Sequence, residues 1–218
     1  MHIPDGFLSG AAMATTAAAS AGGLGAALRI AGKRLGERQV PLMGMMAAFI
    51  FAAQMLNFPM AAGTSGHLLG AALCAILLGP WAAVIVMSLV LIAQCLIFQD
   101  GGLLALGANI FNMAIVAGLG SYIMYRGLAR VMGEGARGRA IAAFVAAWSS
   151  VVLASVACAL ELAASGTVPL RAVLPAMAGV HALIGIGEGA ATVAVLGLVR
   201  KMDAGNQLTV ISSISPQN

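Results

Sequence analysis

The chain opens Met1-His2-Ile3-Pro4-Asp5-Gly6-Phe7-Leu8-Ser9, and its second residue is one of only three histidines. A free terminal amine, the amide nitrogen of His2 and the His2 imidazole can bind one metal ion together. Amine and amide close a five-membered chelate ring, and amide and imidazole Nδ1 close a six-membered one. Three nitrogens then lie in one plane with a fourth corner open. Planar nitrogen donors suit Ni²⁺ or Cu²⁺ best, with Co²⁺ next. A histidine at position 2 is otherwise just an exposed terminal residue, and the short motif alone leaves that alternative open.

The other residues able to do chemistry are few. His67 follows Asn57-Phe58-Pro59-Met60-Ala61-Ala62-Gly63-Thr64-Ser65-Gly66, a Pro/Gly-rich piece that breaks one helix and restarts another near His67. A neutral imidazole is the commonest transition-metal ligand, so His67 can supply the fourth nitrogen. The alternative is a helix-starting histidine bonded to loop backbone, and spacing leaves both open. Asn57, Thr64 and Ser65 are candidates for hydrogen bonds that orient it, or are ordinary turn residues. Asp5 with Gly6 reads as a turn that folds the terminus back, and Asp5 as a cap for the first helix. His181 and Glu188 are seven apart on one helix face, and Glu161 lies in the span before. Ionisable groups within spans are functional candidates. A metal or proton relay fits these three, and so does a buried structural role. Gln94, Asn109 and Asn112 are expected to make interhelical hydrogen bonds.

The elements that must position these groups are membrane spans. Of the residues, 61% are hydrophobic and 8% charged, against about 25% charged in a soluble domain. Long Ala/Leu/Val/Gly runs lack the alternation of a barrel. The fold class is therefore all-α: one polytopic membrane domain over residues 1–218, with a chelating segment at 1–6 and a polar tail at 200–218. Seven apolar segments are expected, at about Phe7–Ile30, Pro41–Leu56, His67–Leu78, Trp81–Phe98, Leu103–Tyr125, Ala140–Ala164 and Val173–Val199. The third is short. In the first, Ala14, Ala18, Gly22 and Ala26 form a small-residue stripe, for packing within the chain or against a partner.

Basic residues set the orientation. With the N-terminus outside and seven crossings, Arg29, Lys33, Arg34, Arg38, Arg126, Arg130, Arg137, Arg139, Arg200 and Lys201 face the cytoplasm. That leaves only Arg171, of eleven Lys and Arg, outside. His2 and the loop before His67 then share the outer face. The net charge of +4 lies in these loops and does not point to nucleic acid. Cys74, Cys95 and Cys158 sit in apolar runs without paired spacing and read as core residues. The N-terminus lacks the basic start of a cleavable signal and is expected to persist. No phosphate-binding Gly-x-x-x-x-Gly-Lys-Ser/Thr loop, His-Glu-x-x-His or Gly-x-Ser-x-Gly occurs, so ATP hydrolysis and these hydrolase chemistries are not expected of this chain.

The opening nonapeptide, Gly63-Thr64-Ser65-Gly66-His67, and Gln99-Asp100-Gly101-Gly102-Leu103-Leu104-Ala105-Leu106-Gly107-Ala108-Asn109 together resemble the CbiM/NikM family. These are the substrate-binding membrane subunits of energy-coupling-factor nickel/cobalt transporters. The similarity covers essentially the whole chain. It implies a planar site made by the Met1 amine, the amide and imidazole of His2, and the His67 imidazole. It implies Ni²⁺ or Co²⁺ as transported substrate, with no cofactor and no enzymatic activity. It also implies a transmembrane coupling subunit, two cytoplasmic ATPases and a small accessory membrane protein as partners. The chain then resides in a prokaryotic cytoplasmic membrane. The Pro4-Asp5 form looks more like nickel members. Two other classes remain to be weighed: an intramembrane enzyme built on His181, Glu188 and Glu161, and a stand-alone metal channel or carrier.

Overall fold

The computed structural model describes residues 1–36, 39–56, 58–59, 65–133 and 135–206. Among the described residues the architecture is all-helical apart from one short antiparallel pairing. In chain order, α1 spans Gly10–Arg34, α2 Gln39–Gln54, α3 Ala71–Leu78, α4 Pro80–Phe98, α5 Leu106–Ile110, α6 Ala117–Met132, α7 Ala136–Ala164 and α8 Leu170–Asn206. A π-helical turn, Phe111–Val116, joins α5 to α6 in one continuous rod. Strands β1 (Phe58–Pro59) and β2 (Ser65–Gly66) pair before α3, with Phe58 opposite Gly66.

Local signals account for the helix ends. The Ser9 hydroxyl accepts from the Ala12 amide and caps α1, whose last turn carries Lys33 and Arg34 against the exposed carbonyls. Pro80 stands in the first turn of α4, where its missing N–H has no partner to lose. Gly70, at φ +77°, precedes α3, a left-handed conformation that strains any residue with a Cβ. A methyl on Gly107 would fall 2.6 Å from the Ala17 Cα, so α5 and α1 meet backbone to backbone. The Ser20 hydroxyl seals that crossing with a 2.7 Å bond to the Gly107 carbonyl.

Five helical rods are long and apolar enough to cross a membrane: α1, α4, the α5–α6 rod, α7 and α8. This is a multi-pass membrane fold. α2 is a shorter apolar helix of 16 residues, and α3 has eight. The expected third span, His67–Leu78, is corrected accordingly: residues 67–70 are not helical, and His67 lies four residues before α3 rather than at a helix start. The tail expected from residue 200 also shifts, because α8 runs on to Asn206. α1 is peripheral, with far less of its apolar stretch buried than α4. Its stripe of Ala14, Ala18, Gly22 and Ala26 is exposed, and Thr16, Ser20, Ala27 and Ala31 form the inward face.

The main core gathers Met87, Leu91, Met113, Cys158 and Leu162 from α4, the π turn and α7. Met1 and Ile3, both fully buried, belong to it too. The N-terminal segment therefore plugs one end of the bundle, beside residues 101–109 and 165–169. Helix directions put Lys33, Arg34, Arg130, Arg137, Arg139, Arg200 and Lys201 at the other end, and Arg171 at the plugged end.

Candidate metal centre

Residues 1–7 have no secondary structure of their own, so their buried amides and carbonyls must find partners elsewhere. Asn109, at the end of the bundle, meets both groups of Ile3. The Ile3 N–H donates to Asn109 Oδ1 at 2.8 Å, and Asn109 Nδ2 donates to the Ile3 carbonyl at 3.1 Å. The Gly102 amide donates to the same carbonyl at 2.9 Å. Two residues on, the Asp5 carboxylate accepts from the amides of Leu103, Leu104 and Ala105 at 3.1, 2.8 and 3.2 Å. A methyl on Gly102 would overlap the Asp5 backbone and carboxylate, so that glycine is required by close approach. The Thr167 hydroxyl donates to the Phe7 carbonyl.

This strap inserts Met1 and His2 into the protein. Met1 is fully buried, and His2 is 4% exposed. His67, also fully buried, brings its ring within 4.7 Å of the His2 ring, centroid to centroid, at a tilt of 42°. The two histidines are 65 positions apart in the chain. His67 Nδ1 lies 2.7 Å from the Leu68 carbonyl, which can only accept, so Nδ1 carries the proton and Nε2 keeps its lone pair. That Nε2 is buried without a hydrogen-bond partner among the described residues. A buried acceptor of this kind is costly unless something is to occupy it. His2 Nε2 lies 3.9 Å from the Asp100 carboxylate, beyond hydrogen-bond reach, and is also buried without a hydrogen-bond partner among the described residues.

Burial also sets the protonation of the donors. It pushes the Met1 amine down from its ordinary 8.0 to about 5, with Cys158 and Asp100 opposing the shift. Burial, and then the adjacent amine, push His2 down to about 3. His67 is held well below its usual value, again by burial first and then by the amine and His2. Asp100 moves up, chiefly by burial. Amine and imidazoles are therefore neutral near pH 7, the state that donates to a metal.

The remaining candidates fall in separate places. Glu188, on α8, accepts from the amides of Leu69 and Gly70, and Glu161, on α7, accepts from Asn112 Nδ2 at 2.7 Å. His181, fully buried on α8, bonds through Nδ1 to the Met177 carbonyl at 2.7 Å. It lies within electrostatic reach of the terminal amine and His67. Each of the three thus has its own partner, which does not assemble them as an acid–base set. Asn57 and Thr64 lie outside the described residues, as does the Ser65 side chain. The three cysteines are buried and free, and Cys158 Sγ lies 4.0 Å from the Met1 carbonyl.

Two roles differ from those the sequence suggests, and a third residue has a place the sequence does not indicate. Asp5 does not cap the first helix, since Ser9 does; it caps residues 103–105 instead. Asn109 holds the N-terminal segment rather than a neighbouring helix. Asp100 lies beside His2. The polar and glycine residues interspersed from Gln99 to Asn109 are the sequence signal for the last two.

A family model for CbiM, the cobalt uptake substrate-specific transmembrane region, matches residues 2–205. A protein of Archaeoglobus fulgidus, provisionally named a fused nickel transport protein NikMN, is 42% identical over 202 residues. The match covers 91% of this chain, which spans 65% of that protein's length. The cobalt transport protein CbiM 1 of Pelobacter propionicus is 35% identical over 93% of this chain and 92% of its own. The crystal structure of a transition metal transporter superposes with a TM-score of 0.86 at 36% identity, covering 95% of this chain and 96% of the other. This chain belongs to the CbiM family, described as the cobalt uptake substrate-specific transmembrane region.

Proposed function

We propose that this chain is the metal-capturing membrane subunit of an ATP-driven energy-coupling-factor importer, with Ni²⁺ as the favoured cargo and Co²⁺ as the second. The observation that carries the reading is the buried meeting of Met1, His2 and His67, with the two rings 4.7 Å apart. The Met1 amine, the His2 amide, His2 Nδ1 and His67 Nε2 make up the ligand set. Four nitrogens in a plane, one of them an ionised amide, favour Ni²⁺ over larger or octahedral ions. Relatives named for nickel and for cobalt are consistent with one donor set serving both.

The plugged end faces outward in this reading, and the basic end lies in the cytoplasm of a prokaryotic cell. The exposed Ala14, Ala18, Gly22 and Ala26 on peripheral α1 form the contact for a transmembrane coupling subunit, since small side chains let helices approach closely. Two cytoplasmic ATPases supply the energy, and a small accessory membrane protein completes the assembly. The test is uptake of Ni²⁺ and Co²⁺, side by side, in vesicles holding this chain with and without coupling subunit and ATPases. ATP-dependent uptake only in the full assembly supports the reading. Equal uptake by the chain alone makes it a stand-alone carrier and sinks the proposal.

The pH dependence of binding is a further expected result. From pH 8 down to about 5 the amine and the His2 ring are already neutral, and burial holds His67 well below its usual value. Each Ni²⁺ then displaces only the His2 amide proton, and affinity falls about tenfold per pH unit. Below about 5 the amine also holds a proton, and the slope steepens to about a hundredfold per unit. Competition titrations across this range locate the break. A break near 8 would mean that the terminus is solvated rather than buried.

A further inference from the structure

The geometry points to Glu188 as a positioning residue for His67, a role that rests on His67 being a ligand. Glu188 stands in α8 and is 3% exposed. Its two carboxylate oxygens accept from the Leu69 amide at 2.8 Å and the Gly70 amide at 2.6 Å. These amides belong to the irregular stretch 67–70 that carries His67. No Lys or Arg pairs with Glu188 among the described residues. A carboxylate buried without a cation is unfavourable unless its hydrogen bonds compensate, and a plain helix-to-loop tie does not require one.

The stretch it grips has no helical backbone of its own to hold the ring. Residues 67–70 are not helical, though the Gly70 carbonyl accepts from the Cys74 amide at 3.0 Å, and among the described residues the His67 ring is locked by its Nδ1 bond to the Leu68 carbonyl, one residue along. That lock fixes the ring to its own backbone, not to His2. Position relative to His2 comes from what holds the backbone. Gln54 Nε2 donates to the Leu69 carbonyl at 2.7 Å, Ile50 packs against Gly70, and Glu188 takes the Leu69 and Gly70 amides. Of these, Glu188 alone makes two bonds, which fixes direction as well as distance. It ties the fourth nitrogen to α8, whereas the first three are tied to residues 102–109 through the N-terminal strap.

The test compares the Ni²⁺ complexes of the full chain and of H67A, E188Q and E188A, by visible d–d spectrum and by Ni²⁺ affinity, with thermal unfolding alongside. Glu188→Gln keeps the volume and one acceptor; Glu188→Ala removes both. Loss of outer partners lowers metal affinity by about 10- to 100-fold. The expected result is a graded shift of both Glu188 variants toward the spectrum of H67A, with the smaller shift and smaller affinity loss in E188Q. If H67A moves the spectrum while E188Q keeps the native spectrum and binds within about twofold, Glu188 serves stability alone and the inference falls. That holds whether or not E188A can be purified. If H67A itself leaves the spectrum unchanged, the ligand reading fails, and the positioning role fails with it.

Discussion

A single residue added ahead of Met1 lowers Ni²⁺ affinity at least about a thousandfold, equivalent to roughly 4 kcal/mol. Moving the amine one residue away destroys the five-membered ring and leaves both imidazoles in the protein. The structure adds a second reason. Met1 has no exposed surface, and the strap anchored at Ile3 leaves no slack for another residue. Titration calorimetry of the extended and native chains measures the effect. His2→Ala separates the two causes, because it removes the ring while leaving the Ile3 anchor in place. Extension and His2→Ala should be similarly damaging if chelation dominates. An extended protein that binds Ni²⁺ within a few-fold of native would remove the terminal amine from the site.

Asn109→Leu lowers Ni²⁺ affinity by up to about a hundredfold, the upper range for groups that orient ligands. It also destabilises the fold by about 2–3 kcal/mol. Leucine keeps the approximate volume of asparagine but neither accepts from the Ile3 amide nor donates to the Ile3 carbonyl. The carbonyl keeps its bond from Gly102, whereas the amide is left buried and unbonded. Ile3 follows His2 directly, so any tilt of the Ile3 peptide is transmitted to the His2 amide nitrogen. Thermal unfolding in detergent reads the stability change, and Ni²⁺ competition reads the affinity. A variant with lowered stability but native affinity would show that Asn109 holds the segment without shaping the site.

The sequence by itself determined the all-helical membrane class, because apolar runs of bilayer length leave the backbone no other way to satisfy its hydrogen bonds. It also showed which nitrogens stand in chelating order at the terminus. The Met1 amine, His2 amide and His2 imidazole are joined by covalent bonds, so the sizes of the rings a metal would close follow from residue order alone. The segregation of basic residues was legible for the same reason, since each helix simply alternates ends.

Everything that depends on distant pairs was decided by the tertiary structure. Residue order cannot show that His67 comes within 4.7 Å of His2, or that both are buried deeply enough to stay neutral. Local rules misassigned Asp5, because a carboxylate near a helix start satisfies the capping pattern; Ser9 stands closer, and the amides of residues 103–105 compete for Asp5. Asn109 and Glu188 were recognisable only as polar groups in apolar helices. Their partners are backbone amides or carbonyls more than a hundred residues away, and backbone groups carry no signature in sequence. The third span was overextended because hydropathy is continuous across residues 67–78, whereas a left-handed Gly70 and tethered amides delay the helix until Ala71. Covalent connectivity thus set the order of the terminal nitrogens, and long-range hydrogen bonding brought Met1, His2 and His67 together.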